Sequence, residues 1–385
     1  MIRRFDFFTA NRIVFGRQAI AELGALSQSL GDRPLLVLGK SALRNSACYS
    51  QINQACAWTT TVHCSGEPTV DQVDVLSETA RAARCDHIVA IGGGSVLDCG
   101  KAISAMLTND GSVRDYLEGV GSGRQLVHRP LPMLAAPTTA GTGSEVTKNA
   151  VISGPGFKKS IRHPQMIPAI ALLDPTLTLS LPKAITAACG MDALTQLIES
   201  YLSSQASPLT DALALSGIEA MRWLPRAIED GDDLEAREQL MFASLLGGIC
   251  LANAGLGAVH GFASPIGAFF PIAHGVACAA LLDACLAANL DAALANGATA
   301  IVERLQRIGQ ALGLERQPTA QASAERMIET LASWREAFAI PGLAELGVTA
   351  SDFARIIANA RGSSMKTNPL TLSDAQLEAI LSRAS

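Results

Sequence analysis

Clustered positive charge is missing from this sequence. No basic cluster exceeds three residues, and the formal net charge is −5. Such a chain offers no phosphate-neutralising surface, which argues against nucleic acid as a partner. A disulfide framework is missing too: the nine cysteines are odd in number and include no CxxC pair. That usage fits reduced thiols and a cytoplasmic location. No apolar core of signal-peptide length follows Met1-Ile-Arg-Arg-Phe-Asp6, so no export is expected. No internal repeat or low-complexity linker is visible.

Charge of either sign is absent between Met241 and Leu282. That run exceeds the ~20 residues needed to span a bilayer. Asn253, His260, Ser264, Pro265, Pro271 and several glycines interrupt it, and flanking basic and aromatic anchors are lacking. It reads as buried helices of a soluble domain, away from any membrane.

What is present suits a large folded core. Of 385 residues, 49% are hydrophobic and 17% charged, enough for two domains. Residues 5–16 alternate around Thr9-Ala10-Asn11 and suggest a short hairpin, and Arg17 to Leu30 reads as an amphipathic helix. Strands are expected at 34–38, 59–64, 87–91, 131–137 and 169–173, with helices through about Ala57, from Val70 to Arg84 and from about Ser95. Lys158 and Lys159 are placed in a turn. This alternation predicts a parallel sheet with crossover helices. Beyond Leu181-Pro182 the segments are Ala- and Leu-rich with helical spacing. The expected organisation is therefore a Rossmann-like α/β domain over 1–180 and an all-α domain over 181–385.

Two loops of the first half suit a nucleotide. Gly92-Gly93-Gly94-Ser95 links a strand to a helix, the arrangement in which backbone N–H groups and a helix N-terminus meet a pyrophosphate. It matches neither GxGxxG nor a P-loop, and a tight turn needing glycine would look the same. Thr138 to Ser144, rich in hydroxyls and glycine, follows another strand.

The second half holds only two of the six histidines, His260 and His274, both inside the uncharged run. A buried imidazole needs a partner. A backbone carbonyl would serve either one alone, but the pair points to a shared metal. Asp192 and Gln196, one helical turn apart, complete a plausible divalent-metal site, with the amide as a weak fourth ligand.

These motifs in order, IVFG at 13–16, GGGSVLDCGKA at 92–102, PTTAGTGSEVT at 137–147, LLDP at 172–175, GMDAL at 190–194 and TNP at 367–369, together with the histidine stretch, resemble the iron-containing (group III) alcohol dehydrogenases over nearly the whole chain. The resemblance implies a dehydroquinate-synthase-like fold and reversible hydride transfer between a nicotinamide cofactor, NAD or NADP, and a primary alcohol or aldehyde. It places Gly93, Gly94, Ser95 and Asp98 at the pyrophosphate, and Thr138, Thr139, Thr147 and Lys159 around the rest of the dinucleotide. It gives Asp192, His260 and His274 as catalytic metal ligands for iron or zinc. A homodimer is the family's habit.

Three departures stand out. Gln196 occupies the usual position of a fourth ligand, a histidine. Ser264 replaces a histidine one turn after His260 that can relay protons. Gly39, followed by Lys40 and Ser41, stands where an acidic residue often contacts the adenosine ribose, so NADPH should be tolerated. The loss of two imidazoles leaves open a metal-free carbonyl reductase and a non-catalytic nucleotide-binding member.

Overall fold

The computed structural model describes residues 4–39, 48–179 and 181–385. It divides into two compact units, Phe8–Leu181 and Pro182–Ser385, the N-terminal segment up to Phe7 grouping with the second.

The first unit is built on β1 (Arg12–Phe15), β2 (Pro34–Gly39), β3 (Thr60–Cys64), β4 (His87–Gly92), β5 (Met133–Pro137) and β8 (Ile170–Leu173), in the order β1-β8-β5-β4-β2-β3. All pairings in this sheet are parallel. β4, β5 and β8 are buried along their whole length, as strands covered on both faces must be. The crossover helices are α1 (Leu23–Gln28), α2 (Cys48–Gln54), α3 (Val70–Ala82) and α4 (Gly94–Met106). Connections run from β2 outward to β3 and from β4 the opposite way to β5. The sheet therefore has a switch point between β2 and β4, the place where open α/β sheets bind ligands at their carboxyl ends.

Three local expectations need correction. Residues 5–16 form no hairpin: β1 pairs in parallel with β8, its partner for extended backbone far along the chain. The helix expected over 17–30 is a 3-10 turn, Ala19–Glu22, followed by the short α1. Lys158 and Lys159 lie not in a turn but in β7 (Phe157–Arg162), which pairs antiparallel with β6 (Asn149–Gly154). The turn between them is centred on Pro155-Gly156, and Gly156 has φ 76°, a conformation glycine adopts at little cost. Lys40 and Ser41 lie outside the described residues.

The second unit is helical: α5 (Lys183–Leu202), α6 (Pro208–Ala220), α7 (Leu224–Glu229), α8 (Leu234–Ala254), α9 (Ala258–Phe269), α10 (His274–Ala295), α11 (Thr299–Ala311), α12 (Ala320–Ala337), α13 (Phe353–Ala360) and α14 (Asp374–Arg383). The uncharged run becomes the end of α8, all of α9 and the start of α10. α10 is long and apolar enough to cross a bilayer, but 83% of that apolar window is buried inside the protein, the position of a core helix. Its beginning approaches α5 closely. A Cβ at Gly275 would lie 2.5 Å from the carbonyl oxygen of Ala188, so only glycine lets His274 come alongside Asp192.

Candidate metal centre and nucleotide loops

Asp192 on α5, His260 on α9 and His274 on α10 converge. His260 Nε2 is 3.3 Å and His274 Nε2 3.7 Å from Asp192 Oδ1, and the two rings are 5.4 Å apart at their centroids. Neither approach has hydrogen-bond geometry, and Asp192 Oδ1 is buried with no hydrogen-bond partner. A carboxylate oxygen buried unsatisfied is costly, and two imidazole nitrogens that face it are arranged around a common positive charge. The donor set passes that test.

The orientation of His260 is imposed from behind. Its Nδ1 donates to Glu199 Oε2 at 2.7 Å, which leaves Nε2 as the nitrogen that can serve a cation on the Asp192 side. Carboxylate–histidine pairs of this kind fix the tautomer of metal-ligating imidazoles. Glu199 also accepts from the backbone N–H groups of Val259 and His260, placing negative charge at the N-terminus of α9. Asn368 Oδ1 accepts from the N–H of Ala258, and Thr367 Oγ1 donates to the carbonyl of Leu256. The TNP motif thus holds the start of α9, and with it His260.

A fourth donor joins them. Cys278, one turn after His274 on α10, has its Sγ 3.8 Å from His260 Nε2 and 3.7 Å from His274 Nε2. The four donor atoms all lie within 4.8 Å of one another. Their electrostatics are mutually adjusted. Burial opposes ionisation of Asp192, yet the neighbouring His274 and His260 hold its carboxyl below the ordinary value. Burial likewise opposes the Cys278 thiolate, and the same imidazoles bring it down. His274 is raised, chiefly by Cys278. His260 is raised well above the ordinary value in spite of burial, by Cys278, Asp192 and Glu199. Two anionic donors thus favour positive charge between them.

Gln196 lies one turn along α5 from Asp192, buried, its Oε1 without a hydrogen-bond partner. This oxygen would be 3.3 Å from a Cβ at Gly247 of α8. Ser264 is exposed. The His274 side chain is 33% exposed, against 3% for Asp192 and 6% for His260, so the group is open on the His274 side. Phe262 is fully buried, while Phe269 and Phe270 lie beneath Arg355, whose guanidinium is 4.3 Å and 5.8 Å from their ring centres.

In the sheet unit, the ends of β2, β4 and β5 bring Gly39, Gly92–Ser95 and Thr138 side by side. Thr138 N–H donates to the carbonyl of Gly92, and Gly39 stands over Val96 in the first turn of α4. No side chain caps α4, so its first N–H groups are available to an anion. A Cβ at Gly94 would sit 2.7 Å from Thr142 Oγ1, which is why this turn must be glycine. Thr139 covers Gly93.

Asp98 is already engaged: Oδ1 accepts from Ser144 Oγ at 2.6 Å, Oδ2 from the N–H of Val151 at 2.9 Å, and Lys101 Nζ lies 3.0 Å away. Lys101, wholly buried, also donates to Thr147 Oγ1 and to the carbonyls of Ser144 and Asn149. Asp98, Lys101 and Thr147 thus tie the Thr138–Thr147 loop to α4. Lys159 is exposed on β7.

The decisive observation is sequence-wide. The profile of iron-containing alcohol dehydrogenases matches residues 10–175, and that of the Fe-containing alcohol dehydrogenase family C-terminal region matches 186–385. The chain belongs to the iron-containing alcohol dehydrogenase family. It is 34% identical to alcohol dehydrogenase 4 of Schizosaccharomyces pombe, over 98% of this chain and 88% of that one. It is 33% identical to the NAD-dependent methanol dehydrogenase of Bacillus methanolicus, over 92% and 93%. A solved structure of 1,3-propanediol oxidoreductase superposes with TM-score 0.90 at 32% identity, covering all of both chains. This iron-containing alcohol dehydrogenase is accordingly an oxidoreductase of alcohols and aldehydes.

Cys278 and Glu199 join this candidate site without having been named from the sequence. Both carried a signal: Cys278 follows His274 at i+4, and Glu199 follows Asp192 at i+7, each on the same helix face.

Proposed function

We propose that this chain catalyses reversible, NAD-dependent interconversion of a small primary alcohol and its aldehyde, with a divalent cation held by Asp192, His260 and His274. The convergence of these three side chains around the unpaired Oδ1 of Asp192 carries the reading. The cofactor supplies or accepts the hydride, and the cation supplies Lewis acidity toward the alcohol oxygen. Asp192 offsets the cation's charge and anchors it. Glu199 keeps the Nε2 lone pair of His260 aimed inward. His274, partly exposed, borders the side from which substrate enters. In the sheet unit, Gly93, Gly94 and Ser95 present the α4 N-terminus to the pyrophosphate, with Thr138 and Thr139 beside it, while Asp98, Lys101 and Thr147 fix the loop that carries them.

Finer assignments follow from particular features. Gly39 brings no carboxylate to the end of β2, which supports use of NADPH as well as NADH. The nine free cysteines suit a reducing, cytoplasmic setting. β1 lies at the edge of the sheet with Ile13 exposed, a surface on which a homodimer can form. Light scattering tests the dimer.

The central test is reduction of a panel of short aldehydes, followed before and after exhaustive chelation. Activity lost on chelation and restored by Zn²⁺ or Fe²⁺ is expected. Activity that survives would establish a metal-free reductase in which Gln196, His260 and His274 bind the carbonyl directly.

A further inference from the structure

Gln196 leaves this centre one strong ligand short, because a neutral carboxamide oxygen is a poor donor toward a borderline ion. The structure holds a better donor in the same group of side chains. We propose that Cys278 binds the cation as a thiolate, making this an Asp–His–His–Cys centre built for zinc; the inference rests on the metal-dependent reading above and specifies its ligand set.

Geometry supports it first. Standard zinc–ligand distances put the edges of a tetrahedral site at about 3.3 Å for N–O and about 3.6 Å for N–S, while an octahedral N–S edge would be about 3.1 Å. The edges here are 3.3 and 3.7 Å for the two N–O pairs, and 3.8 and 3.7 Å for the two N–S pairs. Four of the six edges are thus close to those of a tetrahedral site, and all six are within 4.8 Å. Every partner recorded for the sulfur belongs to this same group of side chains: the two imidazole Nε2 atoms and the Asp192 carboxyl. A thiol packed only as core would have no reason to face two such nitrogens and an unpaired carboxylate oxygen.

Chemistry supports it second. Carboxylate and thiolate together neutralise a dication, and a thiolate in place of an imidazole shifts preference toward zinc and cobalt and away from the harder Mg²⁺ and Mn²⁺. Position supports it third. His274 and Cys278 share one face of α10, so the helix that delivers one ligand delivers the other at no added conformational cost.

The full-length protein, stripped with chelator and reloaded with Co²⁺, gives the test. One cobalt per chain and a near-ultraviolet thiolate-to-cobalt charge-transfer band are expected. Cys278→Ser should remove the band and weaken zinc binding on the order of a hundredfold, since zinc affinity is shared over its few ligands. Cys250→Ser, altering a buried thiol of α8 that donates to the carbonyl of Thr210, should keep the band. X-ray absorption of the zinc-loaded wild type reads a sulfur neighbour directly, so the result does not depend on a variant folding. Stoichiometric metal without a sulfur signal, or a band that survives in Cys278→Ser, overturns the inference and leaves the metal-dependent reading standing. A wild type that takes up no cobalt or zinc overturns both.

Discussion

The candidate metal centre and the candidate nucleotide loops solve opposite problems with buried polar groups. Around Asp98 and Lys101 the side-chain network is closed by Ser144, Thr147, Asn149 and Val151 before any ligand arrives, and in that loop Glu145 alone keeps an unpaired buried oxygen. Around Asp192 the arrangement is left incomplete, with an unpaired oxygen and inward-facing nitrogens. A nucleotide is recognised largely by backbone N–H groups that a rigid turn must present. A cation is recognised by valence that the protein has refused to satisfy internally.

Perturbations should divide accordingly. Asp192→Ala should cost the most, on the order of a thousandfold in kcat/KM, because the cation loses its anionic anchor inside an apolar region. Metal analysis should show the site largely empty, while the melting transition stays cooperative. Near-normal turnover in that variant would remove the basis of the comparison. Lys101→Met should do the reverse and strike folding first. Breaking a buried ion pair costs about 3–5 kcal/mol, read as a lower urea midpoint, with metal content per folded chain unchanged.

Glu145, in the same loop, gives the sheet unit a pH dependence. It is fully buried, with one carboxylate oxygen unpaired, and burial pushes its carboxyl up to about 7 against the nearby Lys101. Because the folded value is raised, its neutral form is the one the fold accommodates. Its contribution is intact below the ordinary value of 4.5 and is lost as pH rises through about 7, a penalty of up to about 3 kcal/mol at pH 8. Glu145→Gln should therefore flatten the decline in stability between pH 5 and 8, as measured by urea unfolding. An unchanged slope would show that the carboxyl finds a partner. Glu199→Gln should have the smallest effect. The amide oxygen can still accept from His260 Nδ1, but the charge is gone, and metal affinity should fall about tenfold, as read by chelator competition.

Much of this was legible in the sequence. β2 through β5, α3 and α4 announced themselves by apolar runs punctuated with glycine and proline, and Asp192, His260 and His274 by their isolation in apolar surroundings. The edge strand β1 was not, because its partner β8 lies far along the chain and a hairpin was the local alternative. β7 was hidden by Phe157-Lys158-Lys159-Ser160, whose charges read as a turn until antiparallel pairing with β6 accounts for them. Cys278 was overlooked because nine scattered cysteines dilute any single one, and because a missing histidine drew attention to Gln196. Asp98 and Thr147 have partners inside the loop that motif position alone did not suggest.

The donors come from three helices, with 67 residues between Asp192 and His260. An ion that joins them acts as a rivet across long stretches of chain, and occupancy couples directly to resistance against unfolding. A cell short of the metal would therefore hold not merely an idle enzyme but a softer one, more readily opened and degraded, so that abundance would follow metal supply.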